Sequence, residues 1–219
     1  MNTNPHAKRI LCYGDSNTWG WIPSSMGKER YNINERWPGI LQKKLGSDYE
    51  VIEEGLGGRT TMFDDPRPEF PERNGLKSLP PILESHLPLD LVIIMLGTTD
   101  TKEMMDVTGK EITEGMQKII HTIKKFKTLD NTKTPQILII VPPIVDETAT
   151  LAKTLFQNGT AKATALTEEY AQLAKKEHVH YLNPTSQVKV DSAEGIHLNA
   201  KNHALLAKLI YEKIKKEMA

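Results

Sequence analysis

Leu91-Val92-Ile93-Ile94-Met95-Leu96 is an unbroken apolar run that stops on Gly97. Ile137-Leu138-Ile139-Ile140-Val141 repeats the pattern further along and stops on Pro142. A half-exposed strand alternates apolar and polar side chains, whereas a strand covered on both faces reads as continuous apolar sequence. Both runs are therefore expected to be central strands of a parallel sheet. Including their flanks they span Leu89–Leu96 and Gln136–Val141. Three shorter runs, Arg9–Tyr13, Tyr49–Ile52 and Val179–Leu182, supply further strands.

Between these runs the apolar period changes from continuous to 3.6. Ile112, Met116, Ile119, Ile120, Ile123 and Phe126 predict an amphipathic helix. Ala163, Leu166, Tyr170, Leu173 and Ala174 predict a second, and Leu205, Leu206, Leu209, Ile210 and Ile214 a third. Strands alternating with helices imply a three-layer α/β/α sandwich around a five-stranded parallel sheet, flavodoxin-like in strand order. At 219 residues the chain is expected to be one domain, 1–219. Pro23 to Trp37 and Asp64 to Pro81 are rich in Pro and Gly and read as long loops. The Lys-rich stretch Lys208 to Lys216 reads as a solvated helix face.

Charge narrows the partners. Lys+Arg and Asp+Glu balance at 28 each, so no electrostatic argument favours nucleic acid or an anionic membrane. Met1 to Arg9 is polar and lacks the apolar core of a signal peptide, and no apolar run approaches bilayer length. A cytoplasmic protein is the expectation. The single cysteine, Cys12, lies in an apolar run and reads as a buried thiol rather than a nucleophile or metal ligand.

In a parallel sheet the functional crevice lies beyond the carboxyl ends of the strands. Four segments follow such ends. They are Gly14-Asp15-Ser16-Asn17-Thr18-Trp19-Gly20, Glu53-Glu54-Gly55-Leu56-Gly57-Gly58-Arg59-Thr60, Gly97-Thr98-Thr99-Asp100 and Asp191-Ser192-Ala193-Glu194-Gly195-Ile196-His197. A serine nucleophile needs a base, a group that holds the base, and donors for the developing oxyanion. Ser16 heads a helix, His197 is a candidate base, and Glu194 stands three residues before it. Gly58 has no side chain to keep a substrate oxygen from its N–H. Each piece alone has a plainer reading, since Gly-Asp-Ser after a strand is more often a turn and helix cap.

Together the four segments resemble the SGNH (GDSL-type) hydrolase superfamily, whose sequence blocks occur here in order and at similar spacing over nearly the whole chain. The likeness is closest to its arylesterase/acyltransferase subgroup. It is carried by Gly14-Asp15-Ser16-x-Thr18-Trp19-Gly20-Trp21, Glu53-Glu54-Gly55-Leu56, Arg59-Thr60-Thr61, Asp64-Asp65-Pro66 and His86-Leu87-Pro88-Leu89-Asp90-Leu91-Val92-Ile93-Ile94. The resemblance implies that Ser16 is the nucleophile, His197 the base and Glu194 the residue that orients it. It also implies an oxyanion hole built from the N–H groups of Ser16 and Gly58 and a third donor at position 99. Trp21 is then expected in the acyl pocket, with Asp15 and Ile196 as further pocket candidates. The implied reaction is cleavage of small carboxylic esters through an acyl-serine, with water or an alcohol as acceptor and with neither metal nor organic cofactor. Relatives in the subgroup also imply a homo-oligomer.

Two positions depart from the family pattern. The third block normally reads Gly-x-Asn-Asp, and Thr99 stands in place of the asparagine. Loss of one oxyanion donor costs on the order of 10²–10³ in rate. The alternative reading is therefore a catalytically weak protein that kept the fold as a ligand-binding module. Glu194 replaces the usual aspartate, which is a lighter change because Ser-His-Glu triads work on other folds. Asp191 is a fallback partner for His197.

Other readings stay beside these. Gly55-x-Gly57 after a strand invites a dinucleotide site, but Thr60 stands where the third glycine belongs. His178 and His180 flank Val179 and lack further metal ligands in sequence. Asp100 is a candidate partner for Arg59 or a helix cap, and Ala149–Gly159 is a candidate cover for the site.

Overall fold

Ile10, Leu11, Cys12 and Tyr13 are all buried, and along a strand such neighbours point to opposite faces. The computed structural model describes residues 2–126 and 133–218. It places these four residues in β1 (Lys8–Gly14), between β2 (Tyr49–Gly55) and β3 (Leu91–Met95). β4 (Gln136–Ile140) and β5 (His180–Leu182) follow. The order is β2-β1-β3-β4-β5, every pair is parallel, and Ile10 lies opposite both Val51 and Leu91.

Among the described residues seven α-helices complete the layers: α1 (Ser16–Trp19), α2 (Trp37–Leu45), α3 (Gly75–His86), α4 (Gly109–Lys125), α5 (Thr150–Leu155), α6 (Gly159–Glu177) and α7 (Ala200–Glu217). Leu11, Tyr13, Val92, Ile94, Ile137 and Ile139 pack into one core with α3, α4 and α6. Ile10, Cys12, Ile93, Met95, Leu138 and Ile140 pack into the other with α2 and α7. The unbroken apolar runs are the sequence trace of these two cores. Burying each such side chain contributes about 1.5–3 kcal/mol. α4 has a capping box in which Thr108 and Glu111 satisfy each other's backbone donors.

The structure corrects the reading of Asp64 to Pro81 as one loop. α3 starts at Gly75 and carries Pro80 and Pro81 inside it. An interior proline costs roughly 3 kcal/mol in a helix. Here Asn74 caps the helix by accepting the Lys77 N–H at 3.1 Å, and Leu79 and Leu83 are buried against the core. Tertiary burial outweighs local propensity. β2 also runs further than its apolar residues, to Gly55, because its backbone stays in register with β1 up to Gly14.

β1 and β3 bracket the point where the strand order reverses, and their ends open the crevice expected of a doubly wound sheet. Among the described residues no helix is long and apolar enough to cross a membrane, and no group of three His, Cys, Asp or Glu side chains is placed to hold a metal.

Candidate active site

β1 ends on Gly14, and a side chain there would sit 2.0 Å from Thr18 Oγ1 and 2.9 Å from the Met95 carbonyl oxygen. Without one, the chain turns sharply into α1. Asp15 caps that helix by accepting the Asn17 N–H at 2.9 Å. Its carboxyl group is fully buried. Burial pushes its pKa up to about 7, against the lowering by the Asn17 N–H. Asp15 is thus a structural part of the turn and does not line the pocket described below. Ser16 follows as the first residue of α1.

His197 arrives from the far end of the sequence, on the loop between β5 and α7. Its Nε2 lies 2.9 Å from Ser16 Oγ, and its Nδ1 lies 3.0 Å from Glu194 Oε2. Both side chains are nearly inaccessible, Glu194 at 2% and His197 at 9%. Trp21 stacks on the imidazole, with ring centroids 4.8 Å apart and planes 15° from parallel. Asp191 turns away from this role. It accepts the Ala193 N–H and an Asn199 side-chain N–H, which shapes the loop.

Asn17 is a site residue that the sequence reading passes over. It accepts the Leu198 N–H at 2.9 Å and donates to the Ile196 carbonyl at 3.4 Å. These two bonds hold the backbone on either side of His197 against the helix that carries Ser16. The partners lie about 180 positions apart, so no local pattern could have marked Asn17.

The second and third segments are joined to each other and border the same pocket as Ser16. Gly58 has φ +80°, a left-handed conformation that favours glycine. The turn before it is tied to β1, because the Leu56 N–H donates to the Gly14 carbonyl at 3.1 Å. Arg59, buried over the Tyr13 ring, donates to the carbonyls of Gly14 and Glu54. Asp100 does not pair with Arg59. It accepts the Thr61 N–H at 2.9 Å and the Thr61 hydroxyl at 2.6 Å, joining the loop after β3 to the loop after β2. Burial raises the Asp100 carboxyl to about 6, despite these donors. Thr99 is 4% exposed and begins the short turn after β3. No helix follows the Gly55–Gly58 turn until α3 at Gly75, so the phosphate-binding helix N-terminus of a dinucleotide fold is missing there.

Ser16, Gly58, Thr99, Glu194 and His197 all border one pocket of about 480 Å³. Trp21 and Ile196 line it as well, and Phe156 reaches it from the Ala149–Gly159 segment. The arrangement offers a hydroxyl, an imidazole in contact with it, and a carboxylate behind the imidazole, all three on buried residues. His178 and His180 lie elsewhere; His180 pairs with Glu217 at 3.5 Å.

Residues 12–205 match the family model of the GDSL-like Lipase/Acylhydrolase family. No curated protein matches the chain. Among solved structures, an aryl esterase from M. smegmatis is 39% identical with a TM-score of 0.89, covering 95% of this chain and 99% of its own. A carbohydrate acetylesterase from Sinorhizobium meliloti is 37% identical with a TM-score of 0.89, covering 95% and 98%. A lipase/acylhydrolase from Enterococcus faecalis, 19% identical with a TM-score of 0.64 and covering 95% of each chain, shares the fold.

Proposed function

The chain belongs to the GDSL-like lipase/acylhydrolase family and is a carboxylic ester hydrolase, and from that premise we propose that Ser16 is the nucleophile of a Ser16–His197–Glu194 triad. The observation that carries the reading is the hydrogen-bonded series from Ser16 Oγ through the imidazole to Glu194, at 2.9 and 3.0 Å. With the Nδ1 proton held by Glu194, Nε2 is left as the acceptor for the serine proton. Serine oxygen attacks the ester carbonyl, and the oxyanion is held by the N–H groups of Ser16 and Gly58 with the Thr99 hydroxyl as third donor. His197 then returns the proton to the departing alkoxide, which leaves as alcohol. Water attacks the acyl-serine and gives a proton to His197, which passes it to Ser16 Oγ as the acyl–oxygen bond breaks and the acid leaves.

An alcohol can take the place of that water, giving acyl transfer. The apolar side chains of Trp21, Phe156 and Ile196 around the pocket favour this second acceptor. We extend the proposal to a homo-oligomer acting in the cytoplasm.

Thr99 supports a second reading, in which the chain binds esters but turns them over weakly. Covalent labelling by a fluorophosphonate, with the modified residue mapped, tests the first. Labelling at Ser16 that disappears in His197→Ala is the expected result. An absence of ester hydrolysis above the Ser16→Ala background would leave only the weak-binding reading.

A further inference from the structure

The pocket beside Ser16 carries more positive than negative charge. Arg67, Arg73 and Lys102 border it, and the carboxylate on its lining among the described residues, Glu194, is engaged by His197. Arg67 is already satisfied, gripping Asp65 through Nε at 2.8 Å and Nη2 at 2.6 Å. The other two cations are not. Arg73 gives Nε to the Gly57 carbonyl at 2.8 Å and Nη1 to the Pro71 carbonyl at 2.7 Å, which leaves its charge without a carboxylate among the described residues. Lys102 likewise forms no ion pair among the described residues, and its Nζ stands 5.9 Å from the centroid of the Phe156 ring.

An unpaired cation held against apolar walls is costly, and a ligand that brings an anion lowers that cost. Burial, reinforced by the neighbouring Arg67, draws the Lys102 ammonium down to about 8, with Asp65 and Asp15 acting in the opposite sense. Arg73 also lies close to the reacting centre. Its Nε is 3.6 Å from where a Cβ on Gly58 would stand. Low-dielectric walls focus the field of such charges on what enters.

We propose that this pocket selects esters bearing a carboxylate, which Arg73 and Lys102 hold while the ester carbonyl lies at Ser16. The inference rests on the reading of Ser16 as nucleophile and narrows its substrate class. The carboxylate can belong to the acyl half or to the alcohol half, and two substrate pairs separate these. The acyl pair is 4-nitrophenyl hemiadipate against 4-nitrophenyl hexanoate. The alcohol pair is 4-acetoxybenzoate against its methyl ester. For each pair the ratio of kcat/KM, anionic over neutral, is measured in wild type and in Lys102→Gln, so that intrinsic reactivity cancels between proteins.

The expected result is a ratio that falls about tenfold in Lys102→Gln for at least one pair. The wild-type ratio for that pair also falls as salt screens the pocket, a measurement that needs no variant. Arg73→Lys, which keeps the charge, is expected to hold more of the ratio than Arg73→Gln. Ratios that respond neither to Lys102→Gln nor to salt in either pair would overturn the proposal. Failure of wild type to hydrolyse even the neutral esters above the Ser16→Ala background would instead overturn the reading on which it rests.

Discussion

At Thr99 a short β-branched side chain stands where the proposed oxyanion hole calls for a longer carboxamide donor. A threonine hydroxyl donates only over its own reach, and its χ1 is stiff. Thr99→Asn is therefore expected to raise kcat for a short-chain aryl ester, by up to about 10²–10³ if the hole is otherwise complete. Steady-state kinetics of the two proteins check this, and an unchanged kcat would mean that the hydroxyl already serves. Asp15 poses a different question at the same scale. Its carboxyl titrates near 7 in the fold because burial penalises the charged form, against an ordinary value of 3.8. Asparagine keeps an oxygen for the Asn17 N–H and cannot ionise. Asp15→Asn is expected to lose less thermal stability between pH 4 and 7 than wild type, as read by melting temperature across that range.

Among the elements, α1 has only four residues and little stability of its own. Its position is set by contacts that reach across the chain. Asn17 bonds the backbone at Ile196 and Leu198, and Leu56 bonds the Gly14 carbonyl before the helix begins. Asn17→Ala removes the first of these braces while leaving Ser16, His197 and Glu194 chemically intact. A misplacement of about 1 Å costs on the order of 10² in rate. A fall of that size in kcat, with KM changed much less and far-UV circular dichroism preserved, is the expected outcome; a kcat within twofold of wild type would remove Asn17 from the positioning role. α4 is a contrasting case. Its Thr108–Glu111 capping box is exposed and distant in role from the chemistry. Thr108→Ala should cost about 1 kcal/mol in a urea titration and leave kcat unaltered.

For the molecule as a whole, the titrating groups set opposing slopes of stability against pH. Glu177 ties α6 to α4 through Gln117, His121 and Lys124. Burial alone would raise its pKa, but those donors outweigh it and hold the carboxyl at about 2, below its ordinary 4.5. A folded-state value below the unfolded one stabilises above 4.5 and is lost as pH falls toward 2. Asp15 and Asp100 act in the other direction, with folded values of about 7 and 6 above an ordinary 3.8. The native state binds their protons more tightly, so their contribution declines as pH rises from about 4 to about 7. Stability from these three groups is expected to peak at about the ordinary aspartate value of 3.8, where the loss at Asp15 and Asp100 overtakes the gain at Glu177. Chemical denaturation from pH 2 to 8 measures it, with Glu177→Gln flattening the acid side and Asp100→Asn the neutral side.

The layers were legible in the residues because burial on two faces leaves a chemical trace. Leu91–Leu96 and Ile137–Val141 carry no polar residue, and only a covered strand tolerates that. Ser16, Gly58, Glu194 and His197 were nameable as candidates because each lies in a short segment after a strand, and parallel strands deliver such segments to one edge; Thr99 was nameable only through the family resemblance. The interior course of α3 through Pro80 and Pro81 was not legible, since local propensity argues against it and only packing of Leu79 and Leu83 overrides that. Nor were the Asn17 brace, the Asp100–Thr61 link or the unpaired cations at Arg73 and Lys102. Sequence by itself determined the sheet, its two cores and the residue types offered at the crevice, because these follow from periodicity and from chain direction. Which hydroxyl meets which imidazole, which carboxyl is buried and which charge is left without a partner were decided by the tertiary structure. Those are contacts between residues far apart in the chain, and their energies depend on distance and burial that no local pattern encodes.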